Sequence, residues 1–168
     1  MTKSSNSTEP DPFTDAEFAA WRGLIRLRES VMREIDRRLR QEGEISLDDY
    51  GVLITLVGRP GMRLRMSELG DRRMLTPSGI TRAVTRLEER RLVCREPDPQ
   101  DGRATLAALT RDGLAVLRRA QRIHHATVRE LYLDRLDERE QRRLARLFEK
   151  ALPGVVSSAE WPTPGAAP

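Results

Sequence analysis

The six residues Pro97-Asp98-Pro99-Gln100-Asp101-Gly102 restrict the fold of this chain more than any other stretch. Two prolines and a glycine so close together are incompatible with a helix interior, and the polar side chains between them suit a sharp reversal. Short extended runs lie on either side, Val93 to Glu96 before the block and Ala104 to Leu109 after it. Two such runs joined by turn chemistry predict a β-hairpin. The other patterned segments have a helical period, so the fold must seat one ribbon among helices.

Phe18, Trp21, Ile25, Met32, Ile35 and Leu39 fall on one apolar stripe, interrupted by Arg28, and predict a first helix over about 15–41. Ser46 is placed to cap a second helix with Tyr50, Leu53, Ile54 and Val57 inward, and Gly58-Arg59-Pro60-Gly61 stops it. A short third helix is expected over 66–73. Thr76-Pro77 reads as the cap and first residue of a fourth, which carries Ile80, Val84 and Leu87 inward as far as Arg91. After the hairpin, Thr110 caps a long fifth helix to about Leu136. Asp137 with Glu140 resembles a capping box opening a sixth, with Leu144, Leu147, Phe148 and Ala151 on one face.

The 168 residues suit a single domain over 13–152, with polar tails at 1–12 and 153–168 that cannot bury enough apolar surface to order themselves. Aromatic residues are 4% of the chain and charged residues 33%, which makes for narrow apolar stripes and a thin core, of the kind often completed by dimerisation. The net charge of +4 is unevenly distributed. Residues 1–58 hold 8 basic and 11 acidic side chains, whereas 59–95 hold 10 arginines against Glu68, Asp71, Glu88 and Glu89. A basic middle points to a polyanionic partner. The single cysteine, Cys94, rules out an internal disulfide framework and suits the cytoplasm. No apolar run approaches the roughly 20 residues of a membrane span, and the N-terminus lacks a signal-peptide core.

Two short helices joined by a tight turn, the second flanked by arginines and followed by a hairpin, form the plan of a winged helix-turn-helix. The expected fold class is therefore mainly α with a small β-hairpin wing, the winged helix-turn-helix occupying about 45–110 and helical dimerisation segments about 15–42 and 111–152. On the fourth helix the outward positions are Ser78, Gly79, Thr81, Arg82, Thr85 and Arg86. Small residues at its start would let backbone N–H groups approach phosphate. Arg82 and Arg86, one turn apart, could enter one major groove, where arginine pairs with guanine. The same residues could instead be an ordinary solvated face, with Glu89 nearby. No nucleophile with its base, paired carboxylates in a cleft or phosphate-cradling glycine loop is present, so an enzyme is not expected. Adjacent His124 and His125 point to different helix faces and make a poor metal site, and no cofactor is expected.

The run Asp101-Gly102-Arg103-Ala104-Thr105-Leu106-Ala107-Ala108-Leu109-Thr110 resembles the wing signature of the MarR (multiple antibiotic resistance regulator) family. Ser67-Glu68-Leu69, Thr81-Arg82, Leu87-Glu88 and Leu92-Val93 fall at that family's spacing for its third and fourth helices. The resemblance covers about 18–152. It implies a double-stranded DNA-binding regulator with Ser78, Thr81, Arg82 and Arg86 facing the major groove and Ser67, Thr76, Pro77, Gly79 and Thr85 among the other DNA-contacting residues. Arg103 would enter the minor groove, and Asp101 would shape the wing. Gly70, Arg73 and Met74 depart from the family pattern, which usually has alanine, an apolar residue and a turn glycine there.

The outer helices cannot bury their apolar faces in a small wing domain. A homodimer is therefore expected, through Phe18, Trp21, Leu131, Leu136, Leu144, Leu147 and Phe148, on a pseudo-palindromic operator. The resemblance further implies a repressor released by a small aromatic or anionic effector, for which Trp21, Arg28, Tyr50 and His124 are the candidate contacts. Gly51 stands near the place where urate-sensing relatives carry an aspartate, so that specificity is not carried over. Cys94 falls on the wing strand, where a small buried thiol is expected. A dimeric adaptor that binds no DNA is the alternative function.

Overall fold

A computed structural model of the chain describes residues 12–156. Six helices and three strands follow one another: α1 (Asp15–Glu42), α2 (Leu47–Val57), β1 (Arg63–Arg65), α3 (Met66–Arg72), α4 (Pro77–Glu89), β2 (Val93–Asp98), β3 (Asp101–Leu109), α5 (Arg111–Leu131) and α6 (Glu138–Ala151). Three of the helices open on capping boxes, Thr14 with Glu17, Ser46 with Asp49 and Asp137 with Glu140, each satisfying N–H groups that a helix start leaves unpaired. The tail expectations for 1–11 and 157–168 lie outside the described residues. Pro153 to Val156 form a turn in which the Gly154 and Val156 N–H groups donate to the Glu149 carboxylate at 2.7 and 3.0 Å.

Ile35 and Leu39 of α1, Leu53 and Leu56 of α2, Leu69 of α3, Val84 and Leu87 of α4, Val93 of β2, Ala107 of β3 and Leu117 and Ala120 of α5 form the centre of the core. In α5 the buried residues Gly113, Leu117, Ala120 and Thr127 trace one face of the helix.

The stripe expected on α1 is not buried as a unit. Val31, Ile35 and Leu39 enter the core, while Phe18, Trp21 and Met32 are exposed and Ile25 is half-exposed. A helix of 28 residues is roughly 42 Å long and reaches well past so small a core. On α6 no residue is buried: Leu147 is exposed, and Leu144 and Phe148 are half-covered. Leu131 packs partly against the core, and Leu136 is half-buried. The fifth helix ends at Leu131, short of the expected Leu136, in a single tight turn at Leu133–Arg135. The Gln141 side chain donates to the Leu133 and Leu136 carbonyls at 3.0 Å each, replacing helical hydrogen bonds lost at the break.

The hairpin is part of a three-stranded antiparallel sheet in the order β1-β3-β2; three residues are too few for β1 to announce itself as alternation. Arg63, Leu64 and Arg65 pair with Ala108, Ala107 and Leu106. Pro97 sits on the edge strand β2, where its missing N–H breaks no ladder on the open side.

Two elements of the helix-turn-helix bear on the departures at 73 and 74. A Cβ on Gly51 would lie 2.1 Å from the Arg73 guanidinium, so the glycine in α2 makes room for the arginine that ends α3. Met74 takes φ 52°. The Leu75 N–H bonds to the Gly70 carbonyl and the Met74 N–H to that of Asp71, the two hydrogen bonds of a Schellman termination, which places Met74 at the position where glycine is favoured.

Candidate nucleic-acid interface

Ile80, Ala83, Val84 and Leu87 bury one side of α4 and turn the opposite side outward. Ser78, Thr81 and Arg82 are exposed there, and Thr76 and Pro77 are exposed at its start. The expected cluster of free backbone donors is smaller than the sequence suggested. Pro77 has no N–H, the Gly79 N–H is taken by the Thr76 hydroxyl at 3.2 Å and the Ile80 N–H by the Thr76 carbonyl, which leaves the Ser78 N–H in the first turn. The Thr81 hydroxyl donates back to the Pro77 carbonyl at 2.8 Å, and the Ser78 and Thr76 hydroxyls lie 3.2 Å apart. Ser67 is exposed on the first turn of α3.

Two outward positions prove to be engaged within the chain. Arg86 donates to the buried Asp49 of α2 at 2.6 and 3.1 Å, so it ties α4 to α2 and does not extend beside Arg82. The Thr85 hydroxyl accepts from Arg95 of β2 at 2.7 Å. Arg95 also donates to the Thr81 carbonyl and is paired with Glu88, which joins β2 to α4 at three points. The sequence showed Arg95 and Asp49 only as members of charge runs, because their partners are distant or on another element. Among the described residues, no carboxylate pairs with Arg82 or Arg103.

The wing has a second brace that was equally hidden. Asp98 is buried and accepts from Arg65, next to α3, at 2.6 Å, and from the Gln100 N–H at 2.8 Å. The Gln100 hydrogen bond, followed by that from Arg65, holds its carboxyl below the usual carboxylate range. Asp101 accepts from the Arg103 N–H at 3.1 Å. The strand register jumps from Pro97 opposite Thr105 to Asp98 opposite Asp101, so Gly102, Arg103 and Ala104 have no partner on β2. Arg103 is exposed beside this irregularity. Met66, Thr81, Thr85, Arg95 and Thr105 line one cleft, so the outer side of α4 and the wing strand border a common surface.

The four candidate effector contacts do not converge within one chain. Tyr50 and His124 stack, with ring centroids 5.1 Å apart, where α2 meets α5. Trp21 and Arg28 are exposed on the outer half of α1, where Trp21 is surrounded by residues of its own helix. Burial pushes the Tyr50 hydroxyl up to about 12, and burial followed by the neighbouring His125 pushes His124 below the ordinary imidazole value of 6.5. The His124 Nδ1 is buried without a hydrogen-bond partner. A histidine whose pKa falls on folding stabilises the fold above its unfolded value and loses that contribution as pH drops through the folded one. Urea midpoints of the wild type should therefore fall below pH 6.5, and those of His124→Phe should fall less steeply. Cys94 is half-buried, and burial together with the nearby Glu96 raises its thiol, unlike a reactive thiolate.

A sequence profile described as MarR family matches residues 45–104. A MarR family transcriptional regulator from Streptomyces coelicolor, solved in complex with DNA, is 35% identical with a TM-score of 0.78; the alignment covers 88% of this chain and 92% of that one. A second from the same organism, AbsC, is 30% identical with the same TM-score, over 88% of this chain and 97% of its own. The HTH-type transcriptional regulator MhqR of Bacillus subtilis is 27% identical over 108 residues, which is 64% of this chain and 72% of the relative.

Proposed function

The chain belongs to the MarR family of DNA-binding transcriptional regulators, which are not enzymes, and from that membership we propose that it is a repressor acting as a homodimer on a pseudo-palindromic operator. One observation carries the DNA contact: Arg82 on the outer side of α4 and Arg103 on the wing bulge are exposed cations with no carboxylate partner among the described residues, on elements that border one cleft. Arg82 meets base edges in the major groove, with Ser67, Thr76, Pro77, Ser78, Gly79 and Thr81 near the phosphates. Arg103 follows the minor groove, with Asp101 holding its backbone.

The uncovered faces of α1 and α6 support the dimer. Phe18, Trp21 and Leu147 are exposed in the single chain, and an equivalent copy supplies a matching apolar surface. Two recognition helices then address half-sites about 10 base pairs apart. Release by a small aromatic or anionic effector completes the proposal, with half-buried His124, stacked on the buried Tyr50 ring, as the aromatic contact. An aromatic carboxylate added to the complex should lower DNA affinity.

Selecting duplexes from a random pool with the purified chain tests the core of this reading. Sedimentation should give two chains, the selected sites should have two-fold symmetry, and affinity should fall steeply with salt as counterions are released. A chain with no DNA affinity even at low salt would instead be the adaptor.

A further inference from the structure

Met74 is an anomaly on the surface that the preceding reading assigns to DNA. It takes φ 52°, a conformation in which an L side chain is strained, and its side chain is 93% exposed. The other non-glycine residues with positive φ differ in what their side chains do. Met62 packs partly against the core, Glu44 pairs with Arg119, and Arg91 presents a hydrated cation. Among the described residues Met74 neither buries its apolar surface nor finds a partner, so both its conformation and its hydration work against it in the isolated chain. Leu75 beside it is also exposed, at 38%, which extends the apolar spot.

The place of this residue in the fold indicates what would cover it. Met74 stands two residues before Thr76, the N-cap of α4, and is fixed there by the hydrogen bonds that end α3. It therefore lies just ahead of the leading end of α4, and it is exposed, as Thr76, Ser78 and Arg82 of that helix start and outer side are. Of the four base pairs, only those with thymine present an apolar group, the C5 methyl, to the major groove. A long, unbranched and polarisable thioether adapts readily to such a methyl.

We propose that Met74 is a specificity-determining residue whose side chain packs on the methyl of one thymine in each half-site. The inference rests on the DNA-binding reading and adds to it a base preference that neither arginine supplies. Arg82 selects a guanine by hydrogen bonds; Met74 selects a thymine by apolar contact alone.

The test is a uracil scan. Each thymine of a duplex selected by the wild-type chain is replaced in turn by deoxyuridine, which removes the methyl and keeps the base pairing. One replacement per half-site should weaken wild-type binding roughly four-fold, the worth of one buried methyl group. Met74→Gly should be indifferent to that same replacement and should unfold at the same or a higher urea concentration, since glycine adopts this φ freely. A flat scan for the wild type, or an unchanged scan for Met74→Gly, overturns the proposal. If the wild type selects no sequence at all, the DNA-binding reading itself fails, which is a separate and recognisable result.

Discussion

Arg82→Ala is expected to weaken operator binding by about 1 to 3 kcal/mol for each half-site and to relax base preference at one guanine in each, with no change in the stability of the free protein. The expectation follows from what occupies the two arginines of α4. Arg82 is exposed with no carboxylate partner among the described residues, so its guanidinium can reach a base edge without first breaking an internal contact. Arg86, one turn later, is bonded to Asp49, which is 4% exposed. Removing Arg86 strips that carboxylate of its cation and should lower stability by about 1 to 2 kcal/mol, an amount limited by the partial exposure of Arg86. Fluorescence anisotropy on the selected duplex and on variants with each guanine replaced, beside urea melts of both mutants, separates the two roles. Arg82→Ala binding like the wild type would remove it from the interface. An Arg86→Ala protein of unchanged stability that had lost base preference would exchange the two assignments.

Gly113→Ala is expected to lower stability by about 3 kcal/mol, equivalent to a fall in melting temperature of roughly 6 to 12 °C for a chain of this size. A Cβ at this position would meet the Leu92 carbonyl oxygen at 2.0 Å and a Leu109 methyl at 2.8 Å. The carbonyl cannot easily retreat, because it accepts the Thr110 N–H at 3.1 Å while the Thr110 hydroxyl holds the Arg91 carbonyl at 2.7 Å. The clash therefore spreads over the end of α4, the end of β3 and the start of α5. Gly70→Ala is the informative contrast: its methyl would meet Ile80 and the Leu75 carbonyl at an ordinary 3.4 Å. With alanine's helix propensity in its favour, Gly70→Ala should raise stability by up to about 1 kcal/mol. Calorimetry that found the two variants equally stable would contradict this account of the junction.

Much of the fold was legible because its signals are local. Ser46, Thr76, Thr110 and Asp137 cap the helices whose starts they mark, and the Pro-rich block at 97–102 turns the hairpin. The third strand was not legible, since Arg63-Leu64-Arg65 pairs with β3 from more than 40 positions away and has too few residues to show a period. The break after Leu131 was missed for a related reason: the Gln141 side chain that satisfies the broken turn comes from the next helix.

For the site, the sequence determined which elements carry the cations, because helix spacing assigns Arg82 to an outward face and the resemblance to the MarR wing signature assigns Arg103 to the wing tip. Only the tertiary structure decided which cations are available. An arginine's reach is several ångströms and its partner is chosen by packing, so Arg86 is bound by Asp49 and Arg95 by Glu88 and Thr85, while Arg82 and Arg103 are left exposed. Periodicity records the side of a helix on which a residue lies; it cannot record what another helix, folded against it from 37 residues away, will place there.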